Sequence, residues 1–424
     1  MQNENTALDF LKQLGSVEQM KASAGDALPA DIKINTHIHL PPNFSAFETV
    51  SQAVELAAEQ GVKILGAGNY YDFKVYDDFV AQAKAKGIFP LFGTEIVALE
   101  KDLQAKGVKI NDPGNPGKYY ICGKGIASFE NPNDRAKELT ASIIGSDEKR
   151  TALMADKLTA HFAKFSVDMN LDANAIIDRV VARHKCQKSG VVLQERHLAQ
   201  AFQEVFFEKV SQEQRVEKLS EIFGCTPKSN ADDAVGIQGE IRSYLMKAGK
   251  SCFVEEEFAN LATAKELIAA LGGIACYPTL ADGSNPRCEY EQTVDVLIDN
   301  LKSNNYAMAE FIPARNTPEV LTEYVKAIRA AGIIIVSGTE HNTLDLIAIE
   351  PSCVGNVPVP QEVKDIFAEG TSVLAAHQFL VANGQCGYVD SDGNLNPDFT
   401  DGPARIEAFA KLGAAVIKKY FETF

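Results

Sequence analysis

The 424-residue chain lacks most of the features that place a protein in a class directly. No run approaches the ~20 apolar residues that cross a bilayer. The first 30 residues lack the basic start and continuous apolar core of an export signal. Eight cysteines form no CxxC pair and keep no regular spacing, far from the density of a disulfide scaffold. Together these absences point to reduced thiols and a cytoplasmic setting. Positive charge is scarce too: 41 Lys and Arg against 57 Asp and Glu leave a net −16. That balance argues against nucleic acid as a partner, because phosphate backbones need clustered cations. There is no Gly-x-Ser-x-Gly nucleophile turn, no GxGxxG loop, no HExxH, no internal repeat and no low-complexity tract. What is present is ordinary globular composition, 46% hydrophobic and 23% charged, with too much apolar surface for a disordered chain.

Short β-like runs recur, several ending in chemically capable residues: 32–39 (IKINTHIH), 62–69 (VKILGAGN), 88–97 (IFPLFGTEIV) and 118–122 (KYYIC). After a long gap follow 273–278 (GIACYP), 308–313 (MAEFIP) and 333–340 (IIIVSGTE). Helical patterns, with apolar residues three and four apart, alternate with most of them at 47–60, 76–86, 263–271, 293–302 and 318–331. Strands alternating with helices imply parallel β/α architecture, and seven strands suggest a barrel or a strongly curled sheet. Residues 131–250 read instead as almost entirely helical. They carry 18 Lys and Arg against 17 Asp and Glu, so nearly all the net charge lies elsewhere. The expected organisation is an N-terminal helical arm at 1–30, with 7–22 as one exposed helix. A barrel in two parts, 31–130 and 251–424, is then interrupted by a helical insertion at 131–250.

Three motifs carry chemistry. In Asn35-Thr36-His37-Ile38-His39, the two imidazoles lie two apart on a strand and so share a face. Neutral imidazole suits Zn, Mn or Fe, and the C-terminal rim is where β/α barrels place their sites. Glu95 closes the apolar run Phe89–Ile96, where an unpaired carboxylate would be costly. Ser337-Gly338-Thr339-Glu340-His341-Asn342 ends the last run with a carboxylate beside an imidazole. In a regular strand only one of Glu340 and His341 can point inward, unless a turn begins at Gly338. Arg315, Arg287 and Lys124 follow strand ends and are candidates to clamp an anion. His161, His184 and His197 in the insertion and His377 within a helix read as packing residues.

The order of these segments resembles the PHP (polymerase and histidinol phosphatase) superfamily of metal-dependent phosphoesterases. NTHIHL resembles its opening HxH, FPLFGTEI its third-strand Glu motif, GGIACYP its strand ending in His-Pro, and VSGTEHN its late Gly-Ser-Asp-x-His segment. The resemblance covers roughly 31–130 and 251–350. It implies a distorted seven-stranded β/α barrel and a metal-activated water attacking a phosphate ester.

The chain departs from the family where Asn69-Tyr70 stands for Asp-His and Tyr277 for His. The resemblance then implies His37, His39, Glu95, Glu340 and His341 as metal ligands, with one or two ions (Zn, Mn or Fe) and not three. Glu340, His341 and Asp72 are the catalytic candidates. Arg315, Arg287, Lys124, Tyr70 and Tyr277 are the candidates to hold a small phosphorylated or anionic substrate. The alternative is a non-catalytic PHP-like binding protein with a degenerate site.

Overall fold

The computed structural model describes residues 6–29, 31–71 and 73–424. Seven strands, β1 Lys33–Ile38, β2 Val62–Ala67, β3 Phe89–Leu99, β4 Lys118–Lys124, β5 Ile274–Thr279, β6 Met308–Phe311 and β7 Ile334–Ser337, form one sheet in sequence order. The ends nearly meet. Backbone N–H groups of Thr339 and Glu340 donate to the His37 carbonyl at 3.1 and 2.9 Å, and His39 N–H donates to Glu340 O at 2.8 Å. The sheet is thus a distorted α/β barrel, nearly closed at the segment that bears the two histidines.

The alternation of strands and helices implies parallel pairing throughout, but the sheet is mixed. The β1–β2, β2–β3, β5–β6 and β6–β7 pairs are parallel, while β4 is antiparallel to both β3 and β5. The cause is the connection from β3 to β4. It holds only the five-residue helix Lys101–Ala105 and the turn-rich DPGNPG at 112–117. Residues 100–117 are numerous enough for a parallel crossover, but such a return usually runs through a full helix, which this connection lacks. The chain folds back instead, and β4 ends at the opposite end of the barrel from β3.

Outer helices start on side-chain caps: Thr49, Asn260 and Thr293 each accept the N–H three residues on. The helices Gln361–Ala382 and Gly402–Thr423 pack closely because Gly413 offers no Cβ where the Ser372 carbonyl passes. The N-terminal arm differs from the expected exposed helix. Two short helices, Asp9–Gln13 and Val17–Ala22, are separated by Gly15 at φ +118°. Phe10, Leu11, Leu14 and Met20 are buried, with Phe10 edge-on to Phe89 and Tyr420. Apolar residues at both helical and turn positions make the arm part of the core.

Within 131–250 lie the helices Asp134–Ala163, Ala173–His184, Glu195–Lys209, Gln212–Phe223 and Ala234–Ile241. They enclose a second apolar cluster, from Met154 to Cys252, separate from that of the barrel. No helix among the described residues is long and apolar enough to cross a membrane.

Candidate metal and anion site

Because alternate strand residues share a face, β1 aims both His37 and His39 into the barrel, with ring centroids 5.0 Å apart. Glycines make the room. A Cβ on Gly68 would stand 2.6 Å from His37 Cδ2, and one on Gly338 would collide with the His37 Cβ. His37 Nδ1–H donates to Glu310 Oε2 on β6 at 2.8 Å. The other oxygen of Glu310 receives the Lys124 ammonium at 2.6 Å, and that ammonium also donates to the Thr36 carbonyl at 3.2 Å. All three side chains are buried. Burial alone would raise the pKa of Glu310, but His37 and Lys124 bring it down to about 2. Burial pulls Lys124 the other way, and Glu310 overcomes it, so the lysine stays protonated.

Glu95, on β3, accepts from His39 Nε2 at 3.0 Å and from Tyr70 Oη at 2.6 Å, and lies 3.6 Å from His37 Nε2. Burial, with Glu95 beside it, holds the Tyr70 phenol far above its usual pKa, so it is a hydrogen-bond donor and not a phenolate. His37 Nε2 is buried with no hydrogen-bond partner among the described residues. Its lone pair is available because Glu310 holds the proton on Nδ1. Donors bound to a tetrahedral ion at about 2.0–2.1 Å stand about 3.3 Å from one another. The spacings of Glu95 Oε2 from the two imidazole nitrogens bracket that value, and the donor atoms of His37, His39 and Glu95 lie within 4.8 Å of each other. The three residues therefore fit a divalent ion. Binding it would require the Nε2 proton of His39 to leave, with Nδ1 free to carry it.

Above this group the chain leaves β7 through a turn in which Glu340 and His341 both have left-handed φ, 61° and 52°. The two side chains consequently diverge. Glu340 faces the cavity, paired with Arg315 through two bonds of 3.0 and 2.5 Å and with Asn342 Nδ2 at 2.8 Å. Burial would raise its pKa, but Arg315 and then His37 hold it below the usual carboxylate value. His341 turns away, stacked on Phe47 and bonded to Thr339 Oγ1 at 2.7 Å and Ile347 O at 3.1 Å. Neither His341 nor Glu340, whose carboxylate Arg315 holds, joins the His37–His39–Glu95 donor group, contrary to the ligand roles implied by the resemblance.

Other expected residues are placed elsewhere as well. Lys124 was expected at the rim to clamp an anion. Because β4 runs antiparallel, Lys124 pairs in register with Gly93, below Glu95, and its charge is committed to Glu310. Arg287 bonds the Tyr324 hydroxyl at 3.0 Å, and Tyr277 donates to the buried Glu291 at 2.6 Å. Neither lines the cavity over Glu95. Asn69 holds the backbone N–H and carbonyl of Leu40, so its amide is structural. Asp72 lies outside the described residues.

A cavity of about 770 Å³ opens over Glu95, Tyr70, Glu340 and Arg315. Its far wall carries Arg196, Arg242 and Lys247, contributed by residues 131–250. Glu195 compensates part of this charge, bonding Arg150 at 2.6 Å and Lys247 at 3.0 Å, with Arg242 at 3.7 Å. Arg242 Nε is buried without a partner among the described residues, and burial, then Arg242, lowers the pKa of Arg196. No sequence motif marks Arg196, Arg242 and Lys247 as a group, because their convergence depends on how the helices of 131–250 pack, which no local pattern records.

No protein-family profile and no curated protein sequence matches the chain. Among solved structures, a protein from Bifidobacterium adolescentis described as a "putative metal-dependent phosphoesterase" is similar in fold. Its TM-score is 0.51 at 15% identity, covering 79% of this chain and 96% of that one. A second structure, an amidohydrolase from Chromobacterium violaceum with bound sulfate and no metal, aligns over the same shares at 17% identity with a TM-score of 0.47. At such identity the first likeness shows a shared fold, and the second bears no weight.

Proposed function

We propose that the protein is a metal-dependent hydrolase of small phosphorylated substrates, a divergent relative of the PHP phosphoesterases. The observation that carries this reading is the buried, unpartnered Nε2 of His37, held toward Glu95 and His39 at ion-binding spacing beneath a cation-walled cavity. The fold shared with a described phosphoesterase agrees with it. A divalent ion held by His37, His39 and Glu95 would supply Lewis-acid polarisation and acidify water at neutral pH. The chain's own residues do the rest. Arg196, Arg242 and Lys247 face the substrate's anionic group, and charge-assisted bonds from guanidinium fix its orientation. Glu340, held ionised by Arg315, is placed to accept a proton at its Oε1 or Oε2. Tyr70 keeps Glu95 in place through its hydroxyl.

The test is metal analysis followed by a phosphate-ester panel, comparing wild type with His37→Ala plus His39→Ala. Metal uptake and turnover in wild type, both lost in the double variant, is the expected result. Equal turnover in the two proteins would overturn it. A second reading, ligand binding without catalysis, is favoured by the structural employment of Asn69 and Tyr277 where the family places ligands. Uptake of metal and phosphate with no turnover across the panel would select that reading.

A further inference from the structure

Below the proposed ion site lies a second group of candidate ligands, His37, Cys122 and Glu310, all buried and with donor atoms within 4.8 Å of each other. By composition it could hold another metal. Its geometry says otherwise. The Glu310 carboxylate is closed on both sides, by His37 Nδ1 at 2.8 Å and by Lys124 Nζ at 2.6 Å. We propose that Lys124 is a built-in substitute for a second metal ion: its ammonium neutralises Glu310 and excludes a second ion, leaving a mononuclear site. This inference rests on the metal-dependent reading above for the ion it leaves in place, but the substitution itself can be tested separately.

Three features support it. First, the ammonium is where a cation is needed. Lys124 and Glu310 side chains are 3% and 1% exposed, too dry for an isolated carboxylate to stay ionised. Second, the strand delivering the lysine is shaped for it. β4 runs against its neighbours, so Lys124 pairs in register with Gly93, and a Cβ on Gly93 would press the Gly123 carbonyl just before the lysine at 2.8 Å. Third, charge counts against two ions. The interior carboxylates Glu95, Glu310 and Glu340 are answered by the permanent cations Lys124 and Arg315. One divalent ion already makes this set positive. A second would add two more charges in a medium that penalises them.

Lys124 also has a positioning role. By holding Glu310 in place it keeps the His37 Nδ1–H bond, and that bond leaves Nε2 as the acceptor of a metal. Cys122, whose thiol lies 3.7 Å from Glu310 and whose pKa burial and Glu310 push far up, remains protonated and silent.

The experiment is titration of the apo protein with Co(II), read by stoichiometry and by the thiolate-to-metal charge-transfer absorption that a Cys ligand produces. Wild type should take one equivalent with no thiolate band. Lys124→Met, which keeps the length of the stem and removes the charge, should take two, with a thiolate band that Lys124→Met plus Cys122→Ala lacks. Two equivalents with a thiolate band in wild type would overturn the proposal, as would a folded Lys124→Met that still takes one. If Lys124→Met folds only when Zn(II) is present during refolding, the ion has replaced the ammonium and the proposal stands. If Zn(II) does not rescue it, the proposal falls. Wild type that takes no ion, beside a Lys124→Met that takes one with the thiolate band, would remove the hydrolase reading and keep the substitution.

Discussion

His377 should make the fold acid-sensitive in a defined window. The residue is buried in the helix Gln361–Ala382, and both ring nitrogens are engaged. Nε2–H donates to the Gly272 carbonyl at 3.0 Å, while Nδ1 accepts from the Tyr388 backbone N–H at 3.0 Å. A proton on Nδ1 would face another proton, so charging the ring must break that bond as well as bury a charge. Burial, opposed by the Gly272 bond, lowers its pKa to about 4. The folded pKa lies below the unfolded one, so the unfolded chain binds the proton more readily. Stability is then complete above the unfolded value near ~6.5 and is lost as pH falls toward the folded one. Linkage gives a loss of about 2 kcal/mol between about pH 7.5 and about pH 5, approaching about 3 kcal/mol in the limit. His377→Gln provides the control. It should be less stable than wild type near neutrality, and the gap should narrow by about 2 kcal/mol at about pH 5. Urea unfolding of both proteins at several pH values measures this. A gap that is the same at both ends of the window would refute the argument.

Three further outcomes are expected. Gly413→Ala should be severely destabilising, because its Cβ would collide with the Ser372 carbonyl where the two long C-terminal helices cross; a thermal melt unchanged from wild type would contradict that packing. Arg196→Ala plus Arg242→Ala should raise KM for a phosphate ester at least about tenfold, since each charge-assisted bond is worth about 1.5–3 kcal/mol, with kcat much less affected. Glu310→Gln should weaken ion binding by about 10- to 100-fold in a chelator competition by releasing the His37 ring. It should also lower the melting temperature, because Lys124 would be left buried without its partner, and unchanged affinity would mean that Glu310 does not orient His37.

Much of the barrel was legible in the chain because its strands are buried runs separated by amphipathic helices. All seven strands lie in the expected runs, with ends shifted by a few residues. The sense of β4 was not read, although the lack of a full helical pattern in the 100–117 connection and its prolines and glycines held the signal. That one reversal moves Lys124 from the rim to the floor. The sharing of a face by His37 and His39 follows from strand periodicity alone, and Glu95 from the cost of a lone carboxylate in an apolar run. His341 was harder. It and Glu340 are themselves two successive left-handed residues, and neither a glutamate nor a histidine carries a local mark of such a turn. Glu310, a carboxylate within the apolar run MAEFIP, carries the same signal as Glu95, but its partners, Lys124 from β4 and His37 from β1, meet it only once the sheet closes.

The chain's net −16 and a cation-walled cavity are compatible because charge acts locally. At physiological ionic strength the Debye length is about 8 Å, so exposed carboxylates beyond that distance are largely screened. An anion entering the cavity meets the near wall, where Glu340 is already neutralised by Arg315, and the far wall, where Arg196 makes no hydrogen bond among the described residues. Residues 131–250 contribute that wall while being almost neutral in total, and locally Glu195 offsets Arg150 and Lys247 without covering Arg196. In the proposed reading, the carboxylates for a metal ion come mainly from the barrel interior and the guanidinium groups for an anion from the helices of 131–250, so the two charges meet at this cavity.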